Sequence, residues 1–166
     1  MKIALGSVVK GFILKSALSE HLKARGFEVV DVGCHDTSRF IKYTSVGERI
    51  AHALQSGAAQ LAINCCGSGT GASLSAGKFK GVSAVSCESV KSARLIRVVN
   101  GANCLCMGED MVTPELACEM ADAFIEAEFC DAPAIDQAVR DFWAEAREEI
   151  EAKGPDAAER ELEGLN

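Results

Sequence analysis

The residues best suited to chemistry fall in one short run, Cys66-Gly67-Ser68-Gly69-Thr70-Gly71. Alternating glycines let the backbone approach a ligand closely. A helix starting just after them aims its first N–H groups at the same spot, which favours an anion. A thiol held there has its ordinary pKa of ~8.5 drawn down by the helix N-terminus, which suits it to act as general base or nucleophile near neutral pH. The same spacing equally suits a tight turn that the Cys66 side chain plugs. The run is neither the dinucleotide fingerprint nor the lysine-bearing nucleotide loop.

Other candidates are scattered. His35 follows the second predicted strand and could serve as an acid or base, or be an ordinary loop histidine. His21 and His52 fall inside predicted helices and read as structural. Glu109 and Asp110 read either as functional carboxylates or as a solvated turn, and Lys10, Lys42 and Arg140 are cations that could meet an anionic ligand. Of the eight cysteines, Cys65, Cys87, Cys104, Cys106 and Cys118 lie in apolar runs and read as reduced core residues. Neither Cys104-Leu105-Cys106 nor Cys65-Cys66 has the spacing of a zinc site, so no metal and no cofactor is expected. Adjacent cysteines pair with difficulty, which argues against a thiol-redox protein built on Cys65 and Cys66.

The elements that must position these residues alternate as strand and helix, the pattern of a parallel sheet covered on both faces. Strands are predicted over 2–6, 27–32, 60–65, 81–86 and 103–107. Helices are predicted over 11–25, from Ser45 to Gly57 behind a Ser45–Glu48 capping box, over 72–79, over 88–99, and over 113–129 behind Thr113-Pro114. The fold class is therefore a three-layer αβα, doubly wound, five-stranded parallel sheet of Rossmann-like type, with a C-terminal helix. Ligands of such sheets bind beyond the carboxyl ends of the strands, where loops 6–10, 33–36, 66–71, 87–88 and 108–110 would gather.

A break at Asp131-Ala132-Pro133 precedes a last helix whose Ile135, Val139, Phe142, Trp143 and Ile150 would be costly to expose, so it should pack on a neighbouring subunit. The expected organisation is an α/β domain over 1–130, a C-terminal helix over 131–153 and an acidic tail over 154–166. A chain of 166 residues suits one such domain. The net charge of −7 and the lack of a basic patch exclude a sequence-independent nucleic-acid surface. No apolar run nears the ~20 residues of a membrane span, and no secretory signal is evident, so a cytoplasmic location is expected.

Taken together, Lys2-Ile-Ala-Leu-Gly6, Gly11-Phe-Ile-Leu-Lys15, Cys66-Gly-Ser-Gly-Thr-Gly71, Lys78-Phe79 with Gly81, and Ser92-Ala-Arg-Leu95 leading to Asn100 resemble the ribose-5-phosphate isomerase B and galactose-6-phosphate isomerase family over roughly residues 1–130. The resemblance implies a metal-free aldose–ketose isomerase of a sugar phosphate, working as a homodimer or tetramer with sites at subunit boundaries. It implies Cys66 as the base that moves a proton through an enediolate, with Ser68 and the N–H groups of Gly67, Gly69, Thr70 and Gly71 as the anion hole, and Asn100 as a substrate-binding amide. The chain departs from the family where an Asp-His pair gives way to Val8-Val9, a histidine to Val99, and an arginine to Asp110. The phosphate arginines fall near Ala134 and Ala138, with Arg140 as their shifted counterpart and His35 as a substitute acid or base. These losses imply either a shorter, open-chain substrate or a non-catalytic subunit that works beside an active paralogous partner.

Overall fold

A computed structural model describes residues 1–152. Five parallel strands, β1 (Lys2–Ser7), β2 (Glu28–Asp31), β3 (Leu61–Cys66), β4 (Ala84–Ser86) and β5 (Cys104–Gly108), form one sheet in the order β2-β1-β3-β5-β4. β3 and β5 are buried along their whole length, which explains why they read as unbroken apolar runs instead of alternating ones. Register sets Leu5 beside Ile63, Ser7 beside Cys65 and Cys66 beside Gly108. The carboxyl ends of the three central strands thus finish level.

Helices α1 (Phe12–Ala24), α4 (Val90–Val98) and α5 (Pro114–Ile125) cover one face, where Leu14, Leu18, Leu22, Ile96, Met120 and Phe124 meet the odd-numbered side chains of β1 and β3. Helices α2 (Tyr43–Gln55) and α3 (Thr70–Ala76) cover the other, around Ala4, Ile50, Ala62 and Ala72. This second core is built from small side chains, so α2 and α3 lie close together against the sheet.

Several element boundaries depart from expectation: β4 begins at Ala84 instead of 81, and α3 ends at Ala76 instead of 79. α2 starts at Tyr43 behind an extended Lys42, and no side chain caps it. The Ser45–Glu48 box is not formed, because the Ser75 hydroxyl of α3 donates to the Tyr43 carbonyl at 3.1 Å and holds an extra helical turn in place. α3 starts at Thr70, so Thr70 and Gly71 belong to its first turn instead of the loop before it. α5 stops at Ile125, short of Phe129, whose ring packs under the Arg147 guanidinium at 5.1 Å. The last helix, α6 (Gln137–Ala152), has no buried residue, and Val139, Phe142 and Ile150 stand exposed on it. The acidic tail expected over 154–166 lies outside the described residues. No helix among the described residues is long and apolar enough to cross a membrane.

Candidate active site

Cys66 is the last residue of β3 and faces α2 and α3, whereas Cys65 faces the opposite core. Successive strand residues point to opposite sides of a sheet, so the two thiols cannot pair. Cys65 is fully buried and burial pushes its thiol far up, away from thiolate chemistry. Cys66 keeps 7% of its surface, and its Sγ accepts the Gly69 N–H at 3.1 Å. That hydrogen bond needs the left-handed backbone of Gly69, φ 80°, where a β-carbon would also press on the Ser86 hydroxyl and stand 3.1 Å from the Met107 carbonyl carbon. Below the sulfur, buried Asn64 donates to the Ala72 carbonyl at 3.4 Å and ties strand to helix.

The turn is strapped to the loop after β5. The Glu109 and Asp110 N–H groups donate to the carbonyls of Cys66 and Gly67 at 2.8 and 2.9 Å. A β-carbon on Gly108 would lie 2.7 Å from the Gly67 oxygen, so the two loops touch backbone to backbone. Two of the four amides expected to form an anion hole are occupied inside the loop: Gly69 donates to Cys66 and Thr70 donates to the Ser68 hydroxyl at 3.4 Å.

β1 and β5 flank β3, so the loops after them meet beside Cys66. Glu109, only 13% exposed at its side chain, accepts the N–H groups of Gly11 and Ile13, both at 3.0 Å, and so caps α1, which has no capping side chain of its own. A carboxylate at a helix N-terminus also answers the partial positive charge there. Lys10 Nζ lies 2.7 Å from Asp110 Oδ1 and 3.7 Å from Glu109. Hydrogen bonding to Asp110, then its charge, raises the Lys10 pKa above its ordinary value. A β-carbon on Gly67 would sit 3.3 Å from Lys10 Cγ and 3.4 Å from Asp110 Oδ2, which places this ion pair directly against the turn. On the other side, the Tyr43 ring lies 3.4 Å from the β-carbon position of Gly71.

The remaining candidates sit elsewhere. His35 is two-thirds exposed, with Nδ1 3.7 Å from Asp31. Asp31 in turn accepts from Lys15 at 2.6 Å, and this buried ammonium also donates to the Cys34 carbonyl. Asn100 follows α4, and a helix returning from β4 to β5 ends at the opposite edge of the sheet from Cys66. Arg140 lies near that same far end: the carbonyl of Val98 accepts the Cys130 N–H at 2.8 Å, and the Arg140 carbonyl faces Cys130 Sγ at 3.5 Å. Its guanidinium donates to Gln137 at 2.6 Å. One chain therefore brings together Cys66, Ser68, Gly67, Gly69, Thr70 and Gly71, and leaves Asn100 and Arg140 away from them. Two surface clefts among the described residues, about 540 Å³ beside Val30, Arg49 and His52 and about 700 Å³ beside Lys78, Phe79 and Ile150, do not include Cys66.

The family model for ribose/galactose isomerases matches residues 3–140. The chain belongs to that family. It is 39% identical to ribose-5-phosphate isomerase B of Escherichia coli over 128 residues, 77% of this chain and 85% of the relative. It is 37% identical to a 4-deoxy-4-sulfo-D-erythrose isomerase of a Clostridium species, covering 79% of this chain and 82% of the relative. With the D-erythrulose-4-phosphate isomerase of Pectobacterium atrosepticum it shares 33% identity, over 78% and 85% of the two chains. Among solved structures, ribose-5-phosphate isomerase B of Clostridium thermocellum superposes with a TM-score of 0.83 at 34% identity, over 92% of this chain and 96% of that one. The relatives are sugar isomerases that share the five-stranded α/β architecture.

The sequence sets Glu109 and Asp110 side by side in one turn and leaves Lys10 unconnected to them. The available signal was topological: once β1, β3 and β5 are adjacent, charged residues just past β1 and β5 must converge on the end of β3. For Tyr43 the family resemblance gave the signal, since Ile41-Lys42-Tyr43 stands near the Tyr-Pro that the family carries before the second helix.

Proposed function

We propose that this protein is an aldose–ketose isomerase acting on a short, open-chain sugar that carries an anionic group, with Cys66 as the base. The observation that carries the reading is the Cys66 sulfur at the carboxyl end of the central strand, nearly buried with 7% of the residue's surface left, and held by the Gly69 N–H. A thiolate there removes the proton from the carbon beside the carbonyl and the electron pair moves onto the carbonyl oxygen; the hydroxyl proton of that carbon then passes to the former carbonyl oxygen, and the Cys66 thiol returns its proton to the former carbonyl carbon. Ser68 and the loop amides left free support the oxygen as charge builds up on it.

The short substrate follows from what the site lacks. Val8, Val9 and Val99 offer no group to open a sugar ring. A four-carbon aldose substituted or deoxygenated at C4 cannot close a five-membered ring and needs no such group. Two relatives are named for four-carbon substrates of this kind, a 4-sulfo-erythrose and an erythrulose 4-phosphate.

The anionic tail is gripped from a second copy. Asn100 and Arg140 lie at the far end of their own chain, where they are placed to reach a neighbour's Cys66. Exposed Ile13, Phe40 and Met111 supply apolar surface that the α6 face of such a neighbour would cover. The protein is thus a cytoplasmic homodimer, or a tetramer made of two such dimers, and His35 is a loop residue outside the reaction. A partner-dependent subunit is the second reading, favoured by the same valines.

The test is solvent deuterium exchange into D-erythrulose 4-phosphate, followed by NMR. Wild-type protein should exchange the α-proton, and Cys66→Ala should lower the rate by roughly 10³-fold. Exchange that survives in Cys66→Ala removes Cys66 from the role. Exchange that appears only on mixing with a paralogous chain establishes the second reading.

A further inference from the structure

We propose that Lys10, held over Gly67 by Asp110, is a catalytic residue of this site, donating a hydrogen bond to the substrate carbonyl oxygen as it becomes an enediolate oxygen. The inference rests on the isomerase reading and adds to it a residue outside the Cys66 turn.

The first support is supply of donors. An enediolate needs N–H or O–H groups aimed at its oxygens, and the Gly69 and Thr70 amides are already engaged by Cys66 and Ser68. Val8 and Val9 contribute none. Lys10 is the cation that the loops bring against Gly67, with its Cγ 3.3 Å from the position a β-carbon would take. The absence of a side chain at Gly67 leaves that space open.

The second is the count of hydrogens on the ammonium. Lysine carries three donors and no acceptor. Asp110 takes one at 2.7 Å. Glu109 Oε1, at 3.7 Å, is too distant for a hydrogen bond, and its other oxygen is engaged by the Gly11 and Ile13 amides. Donors therefore remain on Lys10 for a ligand.

The third is charge. Asp110 balances Lys10, and the N-terminus of α1 answers Glu109, so the cluster has no net positive charge to grip a phosphate or sulfonate. A carboxylate beside the ammonium would repel such a dianion. A neutral carbonyl that acquires charge only during reaction is the substrate atom that fits. Asp110 raises the Lys10 pKa, so the side chain stays an ammonium through neutral pH and acts as a donor, not a base. Proton balance is unchanged: Cys66 takes the α-proton and returns it to the adjacent carbon, the substrate's own hydroxyl proton passes between its two oxygens, and Lys10 keeps its own. Both Lys10 and Asp110 are more than half exposed, where an ion pair adds little to stability, so the fold itself has small use for the pair.

The experiment compares wild type, Lys10→Met, Lys10→Arg and Asp110→Asn with D-erythrulose 4-phosphate, reading kcat, KM and melting temperature. Lys10→Met should lower kcat about 100-fold with KM within about threefold, and Lys10→Arg should recover at least about a tenth of the loss. All melting curves should superpose. In Asp110→Asn, removal of the carboxylate lowers the Lys10 pKa, so the alkaline limb of kcat/KM should move to lower pH. A rise in KM with kcat unchanged would assign Lys10 to the anionic tail and overturn the proposal, as would a loss of activity that tracks a lowered melting temperature. An active wild type with an unaffected Lys10→Met overturns it while leaving the isomerase reading standing. A wild type inactive on every tetrose, pentose and hexose phosphate takes down both.

Discussion

The carboxyl edge of the sheet and the end that carries α6 are built to different standards. Around Cys66 nearly every segment is tied to another: β3 to β5 through Cys66 and Gly108, the β5 loop to the turn by two backbone hydrogen bonds, and the β1 loop to the β5 loop through Glu109. At the other end, α6 buries no residue, and the Nε atoms of Arg97 and Arg140 are buried without a hydrogen-bond partner. Arg147 reaches back to the Gly101 carbonyl at 2.8 Å and is the main polar tether. Buried polar atoms are normally satisfied, so this end is less completely bonded within the chain, and the bare apolar face of α6 is what the proposed second copy would cover. The rigid half of the site rests on the strands, and the half that would grip the ligand's tail is offered outward.

This contrast can be broken first at Lys15. Its ammonium is buried under the β2 loop with Asp31 and the Cys34 carbonyl, at the well-built edge. Lys15→Met strands both acceptors and should cost about 3 kcal/mol of stability, toward the low end for a broken buried pair because Asp31 keeps some solvent. Urea unfolding measures it. A loss well under 1 kcal/mol would mean that the edge is less tightly specified than its contacts indicate.

The opposite end should respond in the opposite way. Phe142 is 62% exposed on α6. Phe142→Asp should leave the melting temperature of the isolated fold nearly unchanged while shifting sedimentation from dimer to monomer and lowering kcat/KM about tenfold to 100-fold, as expected when a central apolar anchor of an interface is lost. A variant that stays dimeric and active would show that α6 is not the contact surface.

What was legible in the sequence divides along similar lines. β1, β3 and β5 could be read because burial on both faces leaves a continuous apolar signature, and the Cys66 turn could be read because its parts are consecutive. The start of α2 could not, since Ser75, thirty-two residues away, decides it. The Lys10, Asp110 and Glu109 cluster is likewise a product of strand order, which no local pattern encodes. Asn100 and Arg140 belong with the site only through the subunit boundary that the family resemblance implies, because the fold sends them to the other end of their own chain.

The smallest effects should separate two helix caps that lie at the same edge. Glu109 caps α1 from a distance and also stands beside Lys10, whereas Thr113 caps α5 locally, accepting the Leu116 N–H at 3.3 Å. Either Glu109→Ala or Thr113→Ala should cost about 1 kcal/mol, worth a few degrees of melting temperature for a domain of this size. Only Glu109→Ala should also lower kcat, about tenfold, because only that cap fixes the β1 loop against the Cys66 turn. Acidification adds a second discriminant. Glu115 in the first turn of α5 has its pKa lowered by its own backbone N–H and by the Thr113 hydroxyl. A lowered folded pKa stabilises the protein above the unfolded value of ~4.3 and loses that contribution as pH falls through the folded pKa. Thr113→Ala gives up part of it, so the gap in melting temperature between Thr113→Ala and wild type should narrow as pH drops below about 4. A gap that stays constant down to pH 3 would show that Thr113 acts on the backbone alone.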